Sequence, residues 1–316
     1  MFKIILSLFH FFNSIYSINI NNSLMDQYNQ YILDYNKTFN HHNFDIFKDN
    51  ILLINDHNQK NNSYSLDINV FADQEPHDTN HYFRKGNGTY SGDNKINNIV
   101  PLSIDWRKKG VITNVKDQGK CGSCWSFSAT GSIEAINAID TGELKNVSEQ
   151  QLMDCSIDYG NKGCQGGAMD NAFKYVIDNG ICSEEEYPYT AEQGFCNQCN
   201  TTLKINNYKD IIPNDEKLLK RVVAQQPVSV AIQANLKSFQ LYSNGIYSDP
   251  NCGTKLDHGV LIVGYGYYQY HNMDYWIIKN SWGPNWGENG YIRIQRNIDN
   301  PSGLCGITIQ PSIPLI

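Results

Sequence analysis

The spacing of apolar positions changes character three times along the chain. Ile4 to Phe12 is a mainly apolar run, preceded by Met1-Phe2-Lys3 and followed by small residues at Ser14 and Ser17. This charged-then-apolar layout predicts a secretory signal peptide over residues 1–17. The run is shorter than the about 20 residues that a membrane span needs, so no membrane anchor is expected. Further on, Phe47, Asn50, Ile54 and Asn58 recur at intervals of three and four, which places them along one face of a helix. Cys124, Trp125, Ala129, Ile133 and Ile136 form a second stripe of this kind, and helical patterning continues to about Gly180. Beyond it the period shortens. Segments 228–233, 259–268, 275–280 and 291–295 are short, rich in β-branched and aromatic residues and mostly bounded by Gly or Pro, and they predict strands. Helices followed by strands make this an α+β chain, and no repeat of fixed period is visible.

With 41% apolar and 18% charged residues among 316, the chain can bury a sizeable core, as one large domain or two smaller ones. Its net charge of -7 contains no long run of one sign beyond Glu184-Glu185-Glu186, which reads as a solvated acidic turn, so no nucleic-acid partner is expected. Residues 18–99 are rich in Asn, poor in Gly and free of Cys, whereas Gly, Tyr, Trp and Cys abound after Val100. Between the two, Asp93 to Asn98 is polar and lacks apolar periodicity, as an exposed and cleavable linker would. The expected divisions are therefore 1–17, 18–99 and 100–316. All nine cysteines lie between Cys121 and Cys305, which favours an oxidising compartment. Their odd number suggests four bridges and one free thiol.

Candidate chemistry concentrates in Gln118-Gly119-Lys120-Cys121-Gly122-Ser123-Cys124. Cys124 opens an apolar helical stripe, so its thiol is expected at a positive helix end, where the dipole and a nearby imidazolium favour thiolate. Gly119 and Gly122 allow close backbone approach to that centre. Cys121 and Cys124 also have the spacing of a redox pair, although no βαβ pattern surrounds them. Of eight histidines, six lie at or before His81, which leaves His258 and His271 beyond the linker. His271 falls in a polar connection between two predicted strands. His258 leads an apolar strand, stands at the rim of a core and is the candidate general base. Two histidines make a multi-His metal site unexpected, and no cofactor is implied.

With Trp125 added, Cys121-Gly122-Ser123-Cys124-Trp125 resembles the signature of papain-like, cathepsin L-like cysteine proteases. Pro101 to Trp106, including Asp105-Trp106-Arg107, is similar to that family's mature amino terminus. Phe47, Asn50, Ile54 and Asn58 resemble the later half of the ERFNIN helix of its pro-segments, with Phe39 and Asn43 where Glu and Arg of that pattern would fall. Asn69, Phe71 and Asp73 resemble its GNFD stretch, with Asp67 in place of Gly. The resemblance implies a zymogen. A mainly helical inhibitory pro-segment would precede a two-lobe peptidase, with a helical left lobe, a β-barrel-like right lobe and the active-site cleft between them. It further implies Cys124 as nucleophile, His258 as base, Asn280 as the amide orienting the imidazole and Trp282 as the cover over that bond. Gln118 and the Cys124 backbone N–H would form the oxyanion hole.

The resemblance also implies bridges Cys121 with Cys164, Cys155 with Cys196 and Cys252 with Cys305. Cys182 and Cys199 remain, and a fourth bridge between them resembles that of the malarial falcipain branch. Gly166 and Gly167 would form the wall that pairs with substrate backbone. Met169, Ala231, Leu256 and Gln310 would line the pocket for the second residue before the cut, an apolar site with a polar end that prefers Leu, Val or Phe to Arg. No insertion resembling an occluding loop lies between Cys155 and Cys164, which favours an endopeptidase. Implied partners are protein and peptide substrates, the chain's own propeptide and cystatin-like inhibitors. The enzyme would be a monomer of the secretory pathway, bound for a lysosome, a digestive vacuole or the exterior. Competing readings are a catalytically silent binding protein and a thiol oxidoreductase. His41, His42, His57, His77 and His81 all fall in the pro-segment, where protonation could loosen its docking. Asn146-Val147-Ser148 and Asn200-Thr201-Thr202 are glycosylation sequons.

Overall fold

A computed structural model describes residues 23–76, 88–91 and 100–316. The expected signal peptide, His77, His81 and the 93–98 linker lie outside the described residues. The amino-terminal segment holds helix α1 (residues 23–34), helix α2 (His41–Asn58) and strand β1 (Tyr64–Leu66). Asn40 caps α2 by accepting from the N–H groups of His42 and Asn43. Phe47, Asn50 and Ile54 face inward as the period predicts. Asn58 closes the helix, and its side-chain amide makes two bonds to the Leu66 backbone, at 2.7 and 3.0 Å, which pins β1 against α2.

The remainder runs β2 (Ile104–Asp105), α3 (Cys124–Thr141), α4 (Glu149–Cys155), α5 (Met169–Asn179), β3 (Asn207–Asp210), α6 (Glu216–Val223), β4 (Val228–Ile232), α7 (Lys237–Gln240), β5 (Tyr242–Tyr247), β6 (His258–Tyr268), β7 (Met273–Lys279), β8 (Tyr291–Gln295) and β9 (Ser312–Leu315). Helix α3 lies between two layers. Trp125, Ala129 and Ile133 pack with Leu152, Met169, Phe173 and Val176 in the core of the helical lobe, while Ile136 stays half-buried. The opposite face of α3 is small and polar. Ser128 Oγ donates to the Val260 carbonyl at 2.7 Å, Ser229 Oγ donates to the Ser128 carbonyl at 2.9 Å, and a Cβ on Gly131 would stand 3.0 Å from the Leu261 side chain. These short side chains let β4 and β6 close directly onto the helix.

Among the described residues the strands form one sheet in the order β1-β5-β8-β7-β6-β4-β9-β3, with β2 against β6. This corrects the barrel-like expectation, because β1 and β3 stand at opposite ends and the sheet does not close. The amino-terminal segment instead supplies one terminal strand and bridges the chain just past the other. Strand β1 pairs antiparallel with β5, and Tyr90 bridges Ile211, just past β3, with its N–H donating to the Asp210 carbonyl at 3.1 Å. An unpaired strand edge exposes a row of backbone polar groups, and covering it removes the need for closure. Tyr28, Phe47, Ile54 and Leu66 of that segment share one apolar cluster with Phe239, Tyr242 and Trp286 of the β-rich lobe. Strand β5, which the pattern analysis missed, carries Asn244 and a Gly245 with φ of 95°, residues that weaken any strand signature.

Disulfides join Cys121 to Cys164, Cys155 to Cys196 and Cys182 to Cys199 in the helical lobe, and Cys252 to Cys305 in the other. Cys124 is the free cysteine. With Cys121 committed to Cys164, the two cysteines of the redox spacing cannot pair with each other.

Candidate active site

Cys124 is buried at the first turn of α3, where the Gly259 N–H donates to its Sγ at 3.3 Å. Gly259 is the second residue of β6, and a Cβ on it would stand 3.2 Å from Trp125 Cα and 3.3 Å from Trp125 N. Only a residue without a side chain lets β6 lie this close to the helix start. The strand thereby carries the preceding residue, His258, to the same place. His258 Nε2 donates to Asn280 Oδ1 at 2.7 Å, and the Ser281 N–H donates to that oxygen at 2.8 Å. Two donors on one acceptor fix the orientation of the amide and leave His258 Nδ1 as the nitrogen available to another group. The Trp282 ring stacks on the imidazole at 4.7 Å. Trp286 belongs to the core instead, with its indole N–H on the Gln240 carbonyl at 2.8 Å. His271 is half-buried in the turn between β6 and β7.

Gln118 arrives from a loop bridged to the same region, since Asp117 pairs with Trp282 and the Gln118 N–H donates to the Ser281 carbonyl at 2.8 Å. The Ser281 hydroxyl donates to Gln118 Oε1 at 2.6 Å, while Gln118 Nε2 donates to the Cys121 carbonyl at 2.9 Å. Among the described residues one Nε2 hydrogen remains uncommitted. The Tyr189 hydroxyl donates to the Gln118 carbonyl at 2.8 Å. Ser281, Gly259 and Tyr189 carried no predicted site role. The first two were within reach, because each adjoins a residue that the motif reading did select.

Burial dominates the electrostatics. It raises the Cys124 thiol to about 11, against the lowering effect of the Gly259 and Trp125 N–H groups. It lowers His258 to about 4, against the Asn280 bond. Burial thus opposes the expected thiolate at the helix end when each group is taken alone. Moving one proton from Cys124 to His258 would create both charges together, each favouring the other.

Of the expected substrate wall, Gly166 has its carbonyl taken by the Lys162 N–H at 2.8 Å and its own N–H on Gly163 at 3.3 Å. Gly167 has no backbone partner among the described residues. A Cβ on Gly167 would stand 2.6 Å from the Trp125 ring, so the chain passes directly over that indole. Met169, Ala231 and Leu256 lie together in the helical-lobe cluster, and Gln310 is buried with its Oε1 unpaired among the described residues. The Asn69-Val70-Phe71-Ala72-Asp73 stretch docks beside the site. Asn69 Nδ2 donates to the Gln240 carbonyl at 2.7 Å, Phe71 meets the Trp282 ring edge-on at 4.8 Å, and the buried Asp73 carboxylate is held by Lys37 and by the Tyr31 hydroxyl at 3.0 Å.

Residues 100–315 match the family described as papain family cysteine protease, and residues 28–79 match the cathepsin propeptide inhibitor domain. The chain therefore belongs to the papain family, in a form that carries its propeptide inhibitor domain. It is 48% identical over 288 residues to cysteine proteinase RD21A of Arabidopsis thaliana, an alignment covering 86% of this chain and 61% of that protein. It is 53% identical over 225 residues to a low-temperature-induced cysteine proteinase of Solanum lycopersicum, covering 70% and 64%. The chain thus spans about three fifths of the length of these curated relatives. Among solved structures, the proform of the ragweed pollen cysteine protease Amb a 11 superposes with a TM-score of 0.85 at 38% identity, covering 93% of this chain and 95% of that one.

Proposed function

We propose that this chain is the zymogen of a cysteine endopeptidase that is secreted or delivered to a lysosome or digestive vacuole. Residues 1–17 serve as signal peptide, 18–99 as inhibitory propeptide and 100–316 as a monomeric enzyme. One observation carries the reading: Cys124, His258, Asn280 and Gln118 meet from separate segments, joined by the Gly259 contact to Cys124 Sγ and the Ser281 bonds to Asn280 and Gln118. His258 Nδ1 takes the Cys124 proton as the sulfur attacks the scissile carbonyl carbon. The oxyanion is received by Gln118 Nε2 and the Cys124 N–H. The C–N bond then breaks, His258 returns the proton to the leaving amine, and a Cys124 thioester remains. Water, activated by His258, cleaves the thioester and releases the acid.

An extended peptide would lie along Gly167, using its backbone N–H and carbonyl, which have no backbone partner among the described residues, for strand-like bonds. Its second residue before the cut would enter between Met169, Ala231 and Leu256 toward Gln310, with Leu, Val or Phe preferred. The buried Oε1 of Gln310 supplies no charge to favour Arg. Incubating the acid-processed protein with an epoxysuccinyl thiol reagent and mapping the adduct by mass spectrometry should place it on Cys124 alone, with complete loss of peptide hydrolysis. An adduct elsewhere, or full labelling with no prior turnover, would reject the assignment.

A further inference from the structure

Ser123 stands at the N-cap of α3, where serine ordinarily turns its hydroxyl onto the N–H of the second or third helical residue. Here it makes no such bond. Its hydroxyl lies 2.6 Å from the Tyr189 hydroxyl, which in turn donates to the Gln118 carbonyl at 2.8 Å. A phenol has a single proton, so with that proton on Gln118 the Ser123 hydroxyl is the donor to Tyr189. One phenolic oxygen therefore ties the Gln118 loop to the start of the Cys124 helix.

We propose that Tyr189 is a positioning residue for the oxyanion hole, fixing the separation of the Gln118 amide and the Cys124 N–H. The inference rests on the reading of those two donors as that hole. The surroundings of Tyr189 hold it still. Its ring meets Phe127, one turn along α3 from Cys124, edge-on at 4.9 Å. Its N–H donates to Glu184 at 2.9 Å, the Thr190 N–H donates to Gln150 of α4 at 2.9 Å, and the Cys182–Cys199 bridge spans the loop. The Cys121 N–H approaches the same Gln118 carbonyl at 3.4 Å, a longer contact than the phenol makes.

The test uses Tyr189→Phe, Gln118→Ala and the double variant, each expressed as the full zymogen and processed by added pepsin at acid pH. Each is assayed on a peptide amide and by iodoacetamide alkylation, a displacement at saturated carbon that builds no oxyanion. Y189F should lower kcat about tenfold with KM and alkylation rate within about twofold of the parent, and should cost less than about twofold more in the Q118A background. S123A, which cuts only the helix side of the tie, should show the same split at about threefold. Unchanged kcat in Y189F, an equal loss of alkylation, or a full loss added to that of Q118A would overturn the role of Tyr189. Unchanged kcat in Q118A would overturn the oxyanion reading and this inference with it.

Discussion

Gly259 sets how near β6 comes to the nucleophile, and its neighbours at 3.2 and 3.3 Å are backbone atoms that cannot rotate aside. Gly259→Ala should therefore cost about 1–3 kcal/mol of stability as an overpacked contact, while kcat/KM falls by more than tenfold because His258 is carried away from Cys124. Thermal denaturation and kinetics on one preparation would separate the two effects. The burial of the two groups gives a second expectation. A thiol raised to about 11 is scarcely ionised at neutral pH, and an imidazole lowered to about 4 is uncharged above that pH. Iodoacetamide alkylation of Cys124 in the intact zymogen should thus be slow near neutrality and climb steadily into the alkaline range. A plateau through the neutral range, the mark of a preformed thiolate, would contradict it. At this scale Cys124 stood out by opening the α3 stripe and by the odd cysteine count, and His258 by the scarcity of histidine beyond the linker. Tyr189 did not, since a hydroxyl bridging two loops leaves no period or spacing.

Where α5 begins and β3 ends, Asp170 and Asp210 face each other. Burial and the neighbouring Asp170 carboxylate raise Asp210 to about 7, and burial raises Asp170 as well. Ser312 on β9 and Lys174 on α5 also face Asp170, and the Lys174 charge acts on Asp210 as well, pulling it down. A carboxyl whose folded pKa is raised stabilises the fold at acid pH and loses that contribution as pH climbs toward and through about 7. Asp210→Asn should flatten this dependence and raise Tm at alkaline pH by about 2–4 °C relative to the parent, measurable by calorimetry across pH. In the same amino-terminal segment, His57 Nε2 donates to the Tyr64 carbonyl at 3.0 Å, which joins the last turn of α2 to β1. Strands β6 and β8 were legible as continuous apolar or alternating runs. Strand β5 was not, because its pairing with β1 and β8 is decided far along the chain. The α3 stripe revealed one buried face, while the serine and glycine face was hidden by its polarity.

Across the whole molecule, the helical lobe carries three of the four bridges, and the shortest loop is closed by Cys182–Cys199 at a separation of 17 residues. Replacing both cysteines with Ser should remove about 3 kcal/mol in the chain-entropy model. At about 2–4 °C per kcal/mol, the drop in Tm is on the order of 10 °C, and activity should fall with it if Tyr189 depends on that loop. Under the proposed division, the segment that would leave on activation supplies β1 at one end of the sheet and the Tyr90 bridge at the other. The Ile246 N–H meets the Ser63 carbonyl at 2.7 Å, and the Asp67 N–H meets the Leu241 carbonyl at 2.9 Å. Cleavage at the proposed boundary would thus uncover the β5 edge and the aromatic floor beneath it. The freed enzyme should be stickier than its precursor, with light scattering that grows with concentration after processing. The departing piece would then have been a solubilising sleeve as much as a gag.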